Sequence, residues 1–333
     1  MNLNVAPFIS VIIPNHNGEK TIALCLDGAL ASHYSNFEII VVDDCSSDSS
    51  VSIINKYPCR LIQLAEHGGA SRARNTGALN SVGDVLFFID ADCIMQPDTL
   101  TRASAAYQEK GPGVIIGGTY TWVPYDQDFF SIFQSIYIHY SETKNCKNPD
   151  YVATHAMLVS TDLFQKSGGF NEQFMPILED VELSHRLKRL GYTLHMDPHI
   201  QVQHIFNFNL IESMRNGIRK SKYWSLYSIK NRDLLSDSGT ASQELKFNVL
   251  SCFLIGALLL LGLLFQTRSF ITPVPLLFGF NLYLNRRLIR TFHNVRGPFF
   301  AFQAMLYYTL MYPFAVGLGA FSAIFSHCFR LRP

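Results

Sequence analysis

No Cys-x-x-Cys pair occurs among the 333 residues, and the seven cysteines are scattered and odd in number. That removes a disulfide framework and a structural zinc site, and leaves the cysteines as small core residues. Surplus charge is also missing: 27 Lys and Arg against 26 Asp and Glu leave a formal net charge of +1, so the chain as a whole has no pull toward nucleic acid. No Gly-x-Gly-x-x-Gly follows the first apolar run, where Asn15-His-Asn-Gly18 stands instead, and there is no Gly-x-x-x-x-Gly-Lys-Ser/Thr loop. An ordinary dinucleotide-binding domain and a P-loop enzyme are therefore set aside. Met1 to Asn15 has neither the basic region nor the cleavage site of a signal peptide, so the soluble part, residues 1 to about 240, is expected to stay in the cytoplasm.

Charge is absent locally as well. From Phe247 to Phe265 there are 19 residues without a charge, and from Pro298 to Ser326 another 29, each long enough to span a bilayer core of ~30 Å. Between them Phe270 to Asn285 is apolar but short and carries Pro273 and Pro275. The expected division is residues 1–210 as a catalytic-type domain, 211–246 as a basic and aromatic juxtamembrane segment, and 247–333 as an α-helical membrane region. Two or three helices are expected there, at about 247–266, 270–285 and 298–326. Arg286, Arg287, Arg290 and Arg296 before the last span place that loop in the cytoplasm, while Arg330 and Arg332 of the tail would face outward.

The first half alternates strand and helix signals. Phe8 to Ile13 reads as a strand stopped by Pro14, followed by a helix from Lys20 to Ala31 and a strand from Phe37 to Val42 that ends in Asp43-Asp44. A helix to about Tyr57, a strand Arg60 to Gln63, a helix Ser71 to Ser81 and a buried strand Val85 to Ile89 follow. This rhythm gives an α/β fold with a mostly parallel sheet flanked by helices, and ligands at the carboxyl ends of the strands. Beyond Pro97 come a helix to Lys110, a strand Val114 to Gly118, an aromatic-rich helix Phe129 to Thr143, a strand Tyr151 to Ser160 and an edge strand Ile200 to Ile205.

Several acids stand at the edges of these elements. Asp90 and Asp92 follow the buried strand, and in extended chain both side chains face one pocket, where paired carboxylates can hold a hard divalent cation and through it a diphosphate. An Asp-x-Asp also simply ends a strand and opens a turn. Glu179 and Asp180 begin a helix whose apolar face carries Leu183, Leu187 and Leu190, a position the helix dipole favours for acids in any protein. Glu182 and Arg186 read as a surface salt bridge at i, i+4. His204 is either a packed histidine or a metal or phosphate contact. From Arg215 to Arg232, six basic residues surround Tyr223, Trp224 and Tyr227, which suits a helix lying on an anionic leaflet rather than one binding RNA.

Taken in order, Ser10-Val-Ile-Ile-Pro14, Val41-Val-Asp-Asp44, Gly69-Ala-Ser-Arg-Ala-Arg-Asn75, Asp90-Ala-Asp92, and Gly168-Gly-Phe-Asn-Glu172 with Glu179-Asp180 resemble the family 2 glycosyltransferases. The resemblance implies the GT-A, Rossmann-like nucleotide-diphospho-sugar transferase fold over roughly Ile9 to His204. It implies that Asp44, with Pro14 and Asp43, holds the nucleoside and that Arg72 or Arg74 lies near. It further implies that Asp90 contacts ribose or metal, that Asp92 binds Mg2+ or Mn2+, that Asp180 is the general base and that Glu179 supports it. The Gln-x-x-Arg-Trp motif of the family's processive synthases is not matched by Arg219-Lys-Ser-Lys-Tyr-Trp224, so polymer extrusion is not expected.

On this reading Asp180 deprotonates an acceptor hydroxyl that displaces a nucleoside diphosphate with inversion, although Glu179 as a nucleophile would give retention. Membrane spans next to such a domain suggest a lipid-linked acceptor. The alternative from another class is a non-catalytic membrane scaffold that keeps a nucleotide-sugar-binding domain.

Overall fold

The computed structural model describes residues 6–329, so Arg330 and Arg332 lie outside the described residues. The chain forms two units, 1–127 with 142–207 and 128–141 with 208–333. The stretch 128–141 therefore counts with the second unit although it lies within the first 210 residues.

In the first unit, β1 (Ile9–Asn15), α1 (Ile22–Leu30), β2 (Phe37–Asp43), α2 (Ser50–Ile54), β3 (Arg60–Gln63), α3 (Gly69–Leu79) and β4 (Val85–Phe88) follow the alternating rhythm of the sequence. After them come β5 (Cys93–Met95), α4 (Thr99–Lys110) and β6 (Val114–Tyr120), then α5 (Phe129–Thr143), β7 (Met157–Ser160), α6 (Thr161–Lys166), α7 (Glu179–Arg189) and β8 (Thr193–His204). The eight strands make one sheet in the order β3-β2-β1-β4-β7-β6-β8-β5. Four of its seven pairings are parallel and three antiparallel, so the sheet is mixed; the wholly parallel part is β3-β2-β1-β4.

Three local readings are corrected. β1 runs through Pro14 instead of stopping before it. β4 reaches β1 only along Ile9 to Ile12, so beyond that point one side of β1 has no ladder for a proline to interrupt. β8 is longer than the expected 200–205 and is not an edge: β6 lies on one side and the three-residue β5 covers the other. Glu182 and Arg186 do pair, at 2.9 Å, yet the guanidinium also donates to the carbonyls of Ser167 and Gly169. That pair clamps a turn in which Gly168 and Gly169 both take positive φ, +84° and +66°, where a Cβ would be strained.

The sheet core is apolar on both faces, with Ile12, Leu86, Phe88, Met157, Val159, Leu183 and Leu187 in one buried cluster. Gly77 lets α3 approach β1 closely, since a Cβ there would meet Ile12 Cγ2 at 2.5 Å. The cysteines are free: Cys25 and Cys93 are buried, Cys328 is exposed and the others are part-buried.

The second unit is helical: α5 for most of its length, α8 (Leu210–Asn231), α9 (Gln243–Leu264), α10 (Val274–Leu284), α11 (Arg286–Leu306) and α12 (Tyr312–Cys328). α8 starts on a capping box between Asn209 and Glu212 and packs along α12, where Gly217 faces Tyr312 and Ala315, and Ser221 Oγ donates to the Val316 carbonyl at 2.7 Å. Phe133 and Tyr137 of α5 are buried among Phe292, Tyr308 and Tyr312, so these aromatics are core. Gly297 has φ +82° and breaks α11 just before Pro298, at the start of the long uncharged run. Gln243–Leu264 and Arg286–Cys328, with mean hydropathy 2.4 and 1.4, are long and apolar enough to cross a membrane. α10, with 11 residues, rises only about 16 Å.

An asparagine ladder ties these helices together. Asn248 Nδ2 donates to the Tyr308 carbonyl at 2.7 Å, Asn281 Nδ2 to Asn248 Oδ1 at 2.8 Å, and Asn285 Nδ2 to Asn281 at 2.9 Å. All three asparagines are at most 2% exposed. Asn281→Leu strands the Asn248 oxygen and one Asn285 donor, and is expected to cost about 1–3 kcal/mol. Thermal unfolding in detergent checks this; an unchanged midpoint would show that the ladder contributes nothing.

Candidate active site

β4 delivers its acids at a turn, not along extended chain. The strand ends at Phe88, and the Cys93 amide donates to the Asp90 carbonyl at 3.0 Å, closing Asp90 to Cys93 before β5 begins. The extended-chain reason given for Asp90 and Asp92 sharing a pocket therefore fails, although the tight turn still keeps them in one neighbourhood. Asp90 Oδ1 accepts from Arg74 Nη2 at 2.6 Å, while Asp92 Oδ1 lies 3.5 Å from His204 Nε2 on β8.

Arg74 is the centre of the buried part. It comes from α3, is 4% exposed, and its Nη1 donates to Glu179 Oε1 at 2.6 Å. One guanidinium thus joins the end of β4 to the start of α7. Burial opposes ionisation of Asp90, but Arg74 outweighs it and holds that carboxyl below the usual range. Glu179 is engaged by Arg74, and Asp180 beside it is not. Asp180 Oδ2 receives only a long bond, 3.4 Å, from the Thr154 amide, and Oδ1 accepts from Val181 N at 2.8 Å. Burial, and then the neighbouring Glu179 charge, push the Asp180 carboxyl up to about 7. Leu178, which positions this pair, has φ 75°, a left-handed conformation that costs a leucine of order 1 kcal/mol.

A group with no sequence signal lies behind these acids. His155 is buried, its Nε2 is 3.4 Å from Glu142 Oε2, and its ring stacks on Tyr120 at 4.0 Å. Burial works against a charged imidazole there, but Glu142, and more distantly Asp90 and Asp180, outweigh it and raise its pKa. Tyr120 also meets the His204 ring edge-on at 4.9 Å. His155, Glu142 and Tyr120 come from separate elements, and none sits in a motif, so only the folded chain reveals them.

The other expected residues lie at the ends of β1 and β2. Asp44 is 2% exposed and accepts from the amides of Gly68 and Gly69, both at 2.7 Å, at the amino end of α3. His67 Nδ1 is 3.0 Å from Asp44 Oδ2, and His16 Nδ1 is 2.6 Å from its carbonyl oxygen. Asp43 accepts from Asn15 Nδ2 at 2.8 Å and from Ser46 Oγ at 2.6 Å, so it holds the loop together. Pro14 pairs with Val42 in the sheet. Arg72 stands apart from the Arg74 cluster: it is more than a third exposed and bonds Glu66 at 2.8 Å. Of the two arginines considered, the structure joins Arg74, and not Arg72, to the acids.

The donor set at the outer end fits a hard cation. Asp92, Cys93 and His204 offer ligand atoms within 4.8 Å of one another. A hard cation such as Mg2+ or Mn2+ takes carboxylate oxygen and imidazole in preference to a thiol, so Asp92 and His204 are the residues of this set that would hold it. Arg74 occupies one Asp90 oxygen, leaving at most the other for ribose or metal.

A mixed sheet with helices on its faces, and acids gathered at the carboxyl ends of its parallel strands, defines the class: a nucleotide-diphospho-sugar transferase fold of the GT-A type. Residues 10–165 match Glycosyl transferase family 2. The fold is shared with the mannosyltransferase PcManGT from Pyrobaculum calidifontis, solved in complex with GDP-Man and Mn2+: TM-score 0.59 at 15% identity, over 99% of this chain and 89% of that one. By sequence, the chain is 30% identical over 131 residues to the glycosyltransferase GlyG of Streptococcus pneumoniae, which covers 38% of this chain and 44% of that protein. It is 33% identical over 114 residues to the poly(ribitol-phosphate) beta-N-acetylglucosaminyltransferase TarS of Staphylococcus aureus, over 32% of this chain and 20% of TarS. The chain thus spans less than half the length of these curated relatives.

Proposed function

We propose that the protein is a membrane-anchored, inverting glycosyltransferase that moves a sugar from a nucleotide-diphospho-sugar to a hydroxyl of a lipid-linked acceptor. The geometry that carries this reading is Arg74, which bonds Asp90 and Glu179 at 2.6 Å each and so joins the turn holding Asp90 and Asp92 to the helix start holding Asp180, whose carboxyl burial raises to about 7. Asp180 accepts the acceptor's proton, and the freed oxygen attacks the anomeric carbon from the face opposite the diphosphate. Glu179 supports that role without acting as nucleophile, because Arg74 holds its carboxylate at 2.6 Å, and single displacement inverts the anomeric centre. Asp92 and His204 are the residues that would hold Mg2+ or Mn2+, which would neutralise charge developing on the leaving diphosphate. Asp44 and Pro14 face the nucleoside side, and Asp43 fixes the loop between them.

The membrane part of the reading is supported by α9 and by the helix beginning at Pro298. Large apolar side chains on α9 are exposed, Leu263 at 75% and Leu264 at 65% among them. Because Asn281 bonds Asn248, α10 returns the chain to the level at which α9 begins. Arg286 and Arg287 then sit on the entry side, which the positive-inside rule makes cytoplasmic. No nucleic acid is expected as a partner.

A panel of nucleotide-diphospho-sugars with Mn2+ tests the donor and metal assignments together. The cognate donor at about 100 times its Kd is expected to stabilise the fold by about 2.7 kcal/mol. Asp92→Asn is expected to remove the Mn2+-dependent part of that shift. An undiminished shift in the variant would move the cation away from Asp92, and a panel without any response would sink the donor reading.

A further inference from the structure

The second unit contains a cavity of about 220 Å³ between α5, α8, α9 and α12, and none of its lining residues belongs to the candidate active site. It is lined by Val249, Val316 and other apolar side chains, with Lys220 and Lys246 among its walls and no carboxylate among the described residues that line it. Gln134 also lines it; this side chain is 2% exposed and its Oε1 has no hydrogen-bond partner. A buried amide oxygen left in that state costs free energy until something donates to it. Lys246 stands in the first turn and a half of α9, the helix proposed to enter the bilayer, so the lysines lie at the headgroup level and Val249 lies deeper.

An apolar slot, two lysines, of which Lys246 also donates from Nζ to the Ser236 carbonyl, and an unpartnered acceptor describe the complement of one kind of molecule. We propose that this cavity binds an anionic phospholipid with a hydroxyl-bearing headgroup. Its phosphate meets Lys220 and Lys246, a headgroup hydroxyl donates to Gln134 Oε1, and the upper part of one acyl chain runs along Val249 and Val316. The volume lies below the roughly 300–1,000 Å³ of sites that enclose a whole drug-sized ligand, so part of an amphiphile is held and the rest stays in the bilayer. The inference rests on the membrane reading of the second unit and is independent of the transfer chemistry.

The chain contains two tryptophans, and one of them, Trp224, forms part of the cavity wall at 8% exposure. With Trp122→Phe as background, the full chain in detergent micelles is titrated with phosphatidylglycerol or phosphatidylcholine carrying the same dibrominated chains, and Trp224 emission is read. Phosphatidylglycerol is expected to quench at a mole fraction at least about tenfold lower than phosphatidylcholine. Lys220→Gln with Lys246→Gln should erase that preference, roughly a tenfold rise in the half-quenching fraction. Gln134→Leu should weaken it several-fold, and Ala320→Phe, which fills the slot, should abolish saturable quenching. Equal quenching by the two lipids, or a preference that survives the double glutamine variant, would overturn the proposal. Since the readout is binding alone, it stands or falls whether or not sugar transfer is ever observed.

Discussion

Replacing Asp180 by asparagine is expected to lower sugar transfer by about 10²–10⁴-fold while leaving donor affinity nearly unchanged. The substitution keeps the shape and removes the proton acceptor. Asp180 does not hold the fold together as Glu179 does: its oxygens receive one long amide bond and one from the next residue, whereas Glu179 is clamped by Arg74. Release of nucleoside diphosphate from a cognate donor plus acceptor measures the effect, with the Mn2+-dependent thermal shift as control for donor binding. Equal turnover by wild type and variant would take Asp180 out of the mechanism.

The pH dependence has two opposite signs, which makes the assignment sharper. A base whose pKa stands at about 7 is ionised above that value, so transfer should rise with pH through about 7 and level off. Stability moves the other way. Because the folded-state pKa is raised above the ordinary carboxylate value, Asp180 contributes stability fully below the unfolded pKa, and that contribution is lost as pH rises toward and through about 7. Asp180→Asn should therefore be more stable than wild type at pH 8 and no more stable at pH 4. A residue with a purely structural role would lose stability on replacement, so the combination of lost turnover and gained stability separates the two roles.

Much of the first unit was legible because its signals are local. Alternating apolar runs and the loop residues between them place β1 to β4 and their helices within two or three residues, and the acids Asp44, Asp90 and Asp180 stand where element ends put them. What sequence could not carry is pairing across distance. Nothing in Thr154-His155-Ala156 announces a histidine buried between Glu142 and Tyr120, and the three residues of β5 are too few for a periodic pattern, yet they turn β8 from an edge into an interior strand. Arg72 and Arg74 illustrate the same limit. Two residues apart on α3, they are indistinguishable by motif, and only their positions around the helix decide that one pairs with exposed Glu66 while the other is buried between two acids. In the second unit, apolar runs locate α9 and the Pro298 helix. The ladder of Asn248, Asn281 and Asn285 depends on how the helices pack, which an apolar run does not specify.

Arg74→Met is expected to destabilise the first unit by about 3 kcal/mol, the lower end of the cost of removing one partner from a buried ion network, because Asp90 is partly open to water. The methionine fills much of the same space, so the loss measures charge more than volume. Without the guanidinium, the carboxylates of Asp90 and Glu179 lose the cation that bridges them, and at neutral pH the fold must either tolerate their repulsion or take up a proton. For a unit of this size the expected fall in Tm is roughly 6–12 °C at pH 7, shrinking as the pH drops and the acids are neutralised. Arg74 also lowers the pKa of Asp180, so the acid limb of the transfer profile should move to higher pH in the variant. Arg74→Lys keeps the charge but cannot offer two nitrogens to two acids at once, and should fall between wild type and Arg74→Met in both readouts. If Arg74→Met keeps the wild-type Tm and the wild-type acid limb, the bridge between β4 and α7 carries neither stability nor control of the base. Of the charges around Asp180, Glu179 and His155 would then act on its pKa and Arg74 would not.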